Sequence, residues 1–236
     1  MKKLYTYLVA CVMLISCSKD KNKTEPETGG NLSTAPTAKV TYDNKNYGIY
    51  KGVFVGSTGN VLINFKNDGT TLSANFVIDS KLYTYTSNSS TTEGTNSTIT
   101  FRNNNDYFDF TVNADGSNPT IANIHISGHS NAIVRVLKEA SNAQVYCFEG
   151  TFTEQGGNGT LNLVIKKDKV EGLFIPADFQ VIPPLKGSVT NNNITAGIGE
   201  EPNKIATITG VITEKNIKGN WSSDTGSGSW EAHRTL

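Results

Sequence analysis

The sequence predicts an all-β protein: an antiparallel meander of two tandem duplicated units, each of about eight short strands, forming small closed or flattened β-barrels. Three observations carry this. Apolar and polar residues alternate with a period of two along most of the chain, as half-buried strands require. Clusters of Gly, Asn and Asp break the alternation at intervals of about ten residues, the spacing of a meander. The second half of the chain repeats the first at a nearly constant offset.

In chain order, Val40-Thr41-Tyr42 and Tyr47-Gly48-Ile49-Tyr50 flank Asp43-Asn44-Lys45-Asn46, which reads as a hairpin turn. Val53-Phe54-Val55 follows, then Val61-Leu62-Ile63-Asn64-Phe65, which ends at the turn signal Asn67-Asp68-Gly69. Leu72/Ala74/Phe76/Ile78, Leu82-Tyr83-Thr84-Tyr85 and Thr98-Ile99-Thr100-Phe101 each present one apolar face. Tyr107 to Val112 ends at Asp115-Gly116, and Ile121/Ile124/Ile126 and Ile133 to Leu137 complete the first unit, 39–140. The β-branched start of the last segment favours a strand over a helix.

The repeat sets Tyr50-Lys51-Gly52-Val53-Phe54 over Phe148-Glu149-Gly150-Thr151-Phe152, an offset of 98. At that offset Ile63-Asn64-Phe65 falls on Leu161-Asn162-Leu163 and Leu72/Ala74/Phe76 on Val170/Gly172/Phe174. Later the offset is 96, with Ile121/His125/Ser127 over Ile217/Trp221/Ser223 and Arg135–Lys138 over Glu231–Arg234. The second unit is 144–236 and carries an insert, Pro176 to Pro184, where two prolines in a row end any strand. Gly219-Asn220-Trp221-Ser222 and Gly226-Ser227-Gly228-Ser229-Trp230 form a closing hairpin. They resemble the glycine–tryptophan hairpins of small bacterial lipocalin-like or avidin-like barrels, a resemblance of composition that names no ligand.

The N-terminus reads as a lipoprotein signal over residues 1–16. Lys2 and Lys3 precede an apolar run from Leu4 to Ile15, too short to span a bilayer at about 20 residues and of secretory length. Leu14-Ile15-Ser16-Cys17 resembles the bacterial lipobox. The resemblance implies diacylglyceryl transfer to the Cys17 thiol, cleavage after Ser16, and an acylated protein anchored to the membrane without spanning it. The Cys-Ser-Lys-Asp start is similar to outer-membrane lipoproteins of the Bacteroidetes type, which implies the outer membrane, facing the periplasm or the cell surface. Residues 17–38 are Lys-, Thr-, Glu-, Pro- and Gly-rich and read as the lipidated cysteine and a tether reaching about 25 Å as a coil.

The charge balance excludes a nucleic-acid partner. The chain has 21 basic and 21 acidic residues, and no basic stripe. With Cys11 in the signal and Cys17 acylated, Cys147 stands alone and cannot form an internal disulfide; between Tyr146 and Phe148 it reads as a small buried apolar side chain. His125 and His129, four apart on a strand, stand about 13 Å apart, too far to share a metal. Gly128-His129-Ser130-Asn131-Ala132 lacks the last glycine of a nucleophile elbow and reads as a turn. Neither a catalytic set, a metal site nor a cofactor is expected.

Tyr83, Tyr85, Tyr107, Trp221 and Trp230 are the candidate ligand-facing aromatics; as alternating aromatics, they are expected to fill barrel interiors first. The expected function is non-enzymatic: a membrane-anchored binding or structural module of the envelope, with a glycan, a small apolar ligand or an envelope protein as partner. The alternatives are a glycan hydrolase, with two carboxylates converging across strands, and an accessory lipoprotein of an outer-membrane transporter.

Overall fold

The computed structural model describes residues 32–55, 59–129, 131–154, 157–176, 183–199 and 204–236. Leu14, Ile15, Ser16 and Cys17 lie outside the described residues, as do Ser130 and most of the Pro176–Pro184 insert. Among the described residues no helix is long and apolar enough to cross a membrane.

Among the described residues sixteen antiparallel strands form two units of eight. The first comprises β1 (Gly48–Val55), β2 (Gly59–Phe65), β3 (Leu72–Ile78), β4 (Lys81–Thr86), β5 (Ser97–Asn103), β6 (Asp106–Val112), β7 (Thr120–His125) and β8 (Ile133–Lys138). The second comprises β9 (Val145–Glu154), β10 (Gly157–Lys166), β11 (Lys169–Ile175), β12 (Pro184–Thr190), β13 (Asn193–Ile198), β14 (Ala206–Thr213), β15 (Asn216–Ser223) and β16 (Ser227–Arg234). The strand order is the same in both, β7-β6-β5-β4-β3-β2-β1-β8 and β15-β14-β13-β12-β11-β10-β9-β16. Only the second unit is a closed barrel; in the first, β7 and β8 are sheet edges.

The difference lies in the last hairpin. β15 and β16 pair from Ser222↔Ser227 to Asn216↔His233 across a short turn, so Trp221 and Trp230 do sit on the closing hairpin. β7 instead follows a register shift between Tyr107 and Asp109, carries Asn123 in the left-handed region (φ 49), and reaches β8 through the longer loop 126–132. A bulge bends a strand and increases its twist, which turns β7 away from β8.

The repeat survives in the register. Gly52 faces Val136 across β1 and β8, and Gly150 faces Ala232 across β9 and β16, the same pairing at offsets of 98 and 96. A Cβ on Gly52 would stand 2.0 Å from the Arg135 carbonyl oxygen, and one on Gly150 2.1 Å from that of Glu231. Both glycines are there because two backbones cross too closely for any side chain. The gapless alignment of β2 with β10 needs correction. Tyr50 pairs with Ile63, whereas Phe148 pairs with Leu163, not Leu161. The paired residues of the β9–β10 hairpin are two positions further apart in the chain, a shift that keeps every side chain on its own face because the strand period is two.

One element is not as expected. Val40–Tyr42 is a 3₁₀ turn, not the first arm of a hairpin. The Lys138 ammonium donates to the carbonyls of Tyr42, Asp43 and Lys45, which curls this segment over the end of the first barrel. Pro184, for its part, opens β12 opposite Leu173, a first-strand position that proline tolerates.

Each barrel is filled by its own side chains. The first core holds Tyr50, Phe54, Phe65, Phe76, Tyr85, Phe101, Phe108 and Phe110; the second holds Phe152, Leu161, Leu163, Ile208, Ile217 and Trp230. β1 is buried at every position, which a two-faced strand is only when both faces are covered. One face fills the first barrel. The other joins Leu137, Val145, Cys147 and Val164 through Val53 in a third apolar cluster between the barrels.

Polar contacts fix that junction. The Asn162 side-chain amide donates to the Phe54 carbonyl at 2.9 Å, and Asn60 donates to Glu149 at 3.4 Å. Glu139 is the hub. It accepts from the Lys51 ammonium at 2.5 Å, from the backbone N–H groups of Thr37 at 2.6 Å and Ala38 at 3.3 Å, and from that of Val145 at 3.1 Å. Residues 32–39, read from sequence mostly as tether, therefore run as a strap across both barrels. Ser33 accepts from Gln144 and Arg234 on the second, and Lys39 donates to Asn67 on the first.

Candidate functional site: the cleft between the barrels

The alternation that fills a barrel on one side projects the intervening residues outward. On β8, Val134 and Val136 point into the first core, so Arg135 and Leu137 face the second barrel. On β10, Leu163 and Ile165 point inward, so Asn162, Val164 and Lys166 face the first. Leu137 and Val164 meet in the junction cluster. Beyond it the two surfaces diverge around a cleft of about 810 Å³, lined by Arg135, Lys166, Lys169, Glu171 and Lys186, with Ser117, Asn118 and Thr120 at the start of β7.

The cleft is cationic. Among the described residues its one lining carboxylate, Glu171, is paired with Lys169 at 2.5 Å. Lys138 also borders it, but its ammonium is committed to the three carbonyls over the barrel end. Burial pushes the Lys138 ammonium down to about 8, with Lys166 adding to the effect against Asp43 and Asp115. Lys166 is half-buried and also lowered, by burial first and then by Lys167, against the pull of Asp43 and Glu139. Arg135 is half-buried and Lys186 exposed. Among the described residues the side chains of Arg135, Lys166 and Lys186 have neither an ion pair nor a hydrogen-bond partner.

The five aromatics named from sequence do not converge. Tyr85 and Trp230 are core residues at 0% and 3% exposure. The Trp230 indole N–H donates to the Thr209 and Asn220 carbonyls at 3.0 and 3.2 Å. The Tyr85 hydroxyl is buried without a partner, and burial pushes it up to about 12. Tyr83 packs on the first core, with the Lys81 ammonium over its ring. Trp221 is half-buried against Phe152 and Phe174, its indole N–H donating to the Thr153 carbonyl. Only Tyr107 lies on an outer face, stacked on His125 with the Arg102 guanidinium 5.1 Å from its ring centre.

His125 and His129 are on separate features: His125 on the Tyr107 stack and His129 edge-on to Phe54. No group of His, Cys, Asp or Glu able to hold a metal occurs among the described residues. Cys147 is fully buried, and burial pushes its thiol above its ordinary value, the condition of an inert apolar side chain.

Two carboxylates border one groove on the outside of the second barrel. β9 and β16 pair Glu149 with His233 and Thr151 with Glu231, so Glu149 and Glu231 are diagonal neighbours bordering a groove of about 370 Å³. Burial holds the Glu149 carboxyl above its usual range, against hydrogen bonds from Asn60 and Thr235 and the nearby His233. Glu231 is exposed and 3.4 Å from Lys218. A further hollow of about 820 Å³ lies at the end of the second barrel, with Tyr146, Phe148, Ile165 and Ile212 in its wall and Leu32 of the strap across it.

Sequence reasoning missed Arg135, Lys166 and Lys186. As isolated cations on outward strand positions they carry no local signal, and only the packing of barrel on barrel assembles them. No protein-family model matches the chain, and no curated protein is similar to it.

Proposed function

We propose that the protein is a lipid-anchored, non-enzymatic binding module of the bacterial cell envelope, held at the outer membrane through Cys17. The observation that carries the binding role is the cleft. Two barrels joined by Glu139, Asn162 and the strap flank a polar cleft in which, among the described residues, the half-buried side chains of Arg135 and Lys166 make no ion pair or hydrogen bond. Half-burying an unpaired charge is unfavourable, and a bound anion would relieve it. The anchor is supported by the lipobox pattern.

Membrane fractionation and protease shaving of intact cells test the reading, comparing wild type with Cys17→Ala. Wild type is expected in the membrane fraction and the variant in the soluble fraction. A variant that stays with the membrane overturns the anchor. Shaving on intact cells assigns the surface, and protection assigns the periplasm.

The Glu149–Glu231 pair favours a second reading, glycan hydrolysis, in which Glu149, whose carboxyl burial raises, serves as general acid and Glu231 as base or nucleophile. Release of reducing ends from a panel of glycans, abolished by Glu149→Gln and by Glu231→Gln, would establish it over the binding role.

A further inference from the structure

We propose that the cleft between the barrels binds a polyanionic, sugar-sized ligand, its carboxylate, sulfate or phosphate groups held between Arg135 on one wall and Lys166 and Lys186 on the other. The inference deepens the binding reading and rests on it.

The charge decides the class. Among the described residues three cations face the cleft without an ion pair or hydrogen bond, and the acid that lines it is already paired with Lys169. A neutral ligand would leave Arg135 and Lys166 as they are; an anionic one would pair them. Arginine presents a planar fork of donors that matches the two oxygens of a carboxylate, sulfate or phosphate.

The size and the neutral lining decide the scaffold. About 810 Å³ is far more than a single tetrahedral oxyanion fills, and the cations stand on both barrels. A ligand that meets both walls therefore carries more than one acidic group on an extended frame. Ser117, Asn118 and Thr120 add hydroxyl and amide groups of the kind that bind sugar hydroxyls, and among the described residues no aromatic ring lines the cleft. The site is built for charge and hydrogen bonds, not for stacking a neutral pyranose.

The test uses the full mature chain carrying Cys17→Ala, so that it does not depend on the anchor. Titration calorimetry compares tetragalacturonate, a sulfated disaccharide, inorganic phosphate, vesicles of anionic phospholipid and a neutral glucose tetramer. The acidic saccharides are expected to bind and the neutral tetramer not to. Arg135→Ala and Lys166→Met are each expected to weaken binding about tenfold, the scale of one charge-assisted hydrogen bond, with unchanged unfolding midpoints. Arg135→Lys should recover part of the loss. Binding of the vesicles alone, lost in Arg135→Ala, upholds the anion site with a lipid headgroup as its source. Equal binding by wild type and both variants, or no binding of any anion, overturns the proposal. An anion result of either sign leaves the fractionation outcome unaffected, so failure of the site and failure of the anchor are told apart.

Discussion

Lys51 and Glu139 show how a single pair of side chains can be outward-facing in its own barrel and fully buried in the molecule. Both alternate with core residues, so sequence periodicity places them on a solvated face; the second barrel covers that face and leaves Glu139 at 0% exposure. Burial raises a carboxyl's pKa, but the Lys51 ammonium and the N–H groups of Thr37 and Val145 outweigh it, and Glu139 lies below its ordinary value. A lowered carboxyl stabilises the fold above its unfolded pKa of about 4.3 and loses that contribution as pH falls through the folded value. Glu139→Gln leaves Lys51 buried without a counter-ion and is expected to cost about 3–5 kcal/mol. Lys51→Met should cost less, because the carboxylate keeps its backbone donors. Urea titrations of the two variants at pH 7 measure the difference; equal losses would count against the hub.

Glu149 bends the pH profile the other way. Its carboxyl is raised by burial, so its contribution is complete below the unfolded pKa and is lost as pH rises through the folded one. Glu149→Gln mimics the neutral acid and keeps an oxygen for the Asn60 amide. The variant is therefore expected to match wild type near pH 4 and to be more stable at pH 7, where each tenfold difference in proton affinity between the folded and unfolded chain is worth about 1.4 kcal/mol. Thermal melts at the two pH values read this directly, and a variant less stable at pH 7 would contradict the assignment. Neither glutamate was legible as buried from sequence, because the contacts that bury them join residues about ninety positions apart.

Among the elements, the strands whose patterning is local were legible and those shaped by another part of the molecule were not. Alternation alone identified β3 and β6, and the Gly–Trp composition identified the β15–β16 hairpin. The turn at Val40–Tyr42 was not legible because Lys138, nearly a hundred residues later, holds its carbonyls in place. The repeated glycine was the most informative match. Gly52 and Gly150 occupy the same crossing, where a methyl would meet a carbonyl oxygen at about 2 Å. Gly150→Ala should cost more than the about 0.5–1 kcal/mol by which alanine ordinarily stabilises a strand over glycine, and with the opposite sign. Gly94, at a turn with nothing within 4 Å of its Cβ position, is the control. Its left-handed backbone (φ 74) limits the cost of Gly94→Ala to about 1–2 kcal/mol. Denaturant midpoints of the two variants should separate clearly, with Gly150→Ala the lower.

At the scale of the whole molecule, the two barrels share too much to unfold independently. β1 is covered on both faces, the apolar cluster of Val53, Leu137, Val145, Cys147 and Val164 belongs to neither barrel alone, and the strap is bonded to both. The sequence carries a convenient reporter of this coupling. Trp221 and Trp230 are the only tryptophans, and both are in the second barrel, whereas far-ultraviolet circular dichroism reads the strands of both. Tryptophan fluorescence and circular dichroism of the mature chain should therefore give one coincident urea transition, the mark of a single cooperative unit. Glu139→Gln removes the contact on which the strap, β1 and β9 converge, and is expected to split the transition, the open first barrel unfolding at lower urea without a fluorescence change. Coincident curves in the variant would place the coupling in the apolar cluster instead, and separate curves in the wild type would mean that the cleft between the barrels is not held rigid enough to select a ligand by shape.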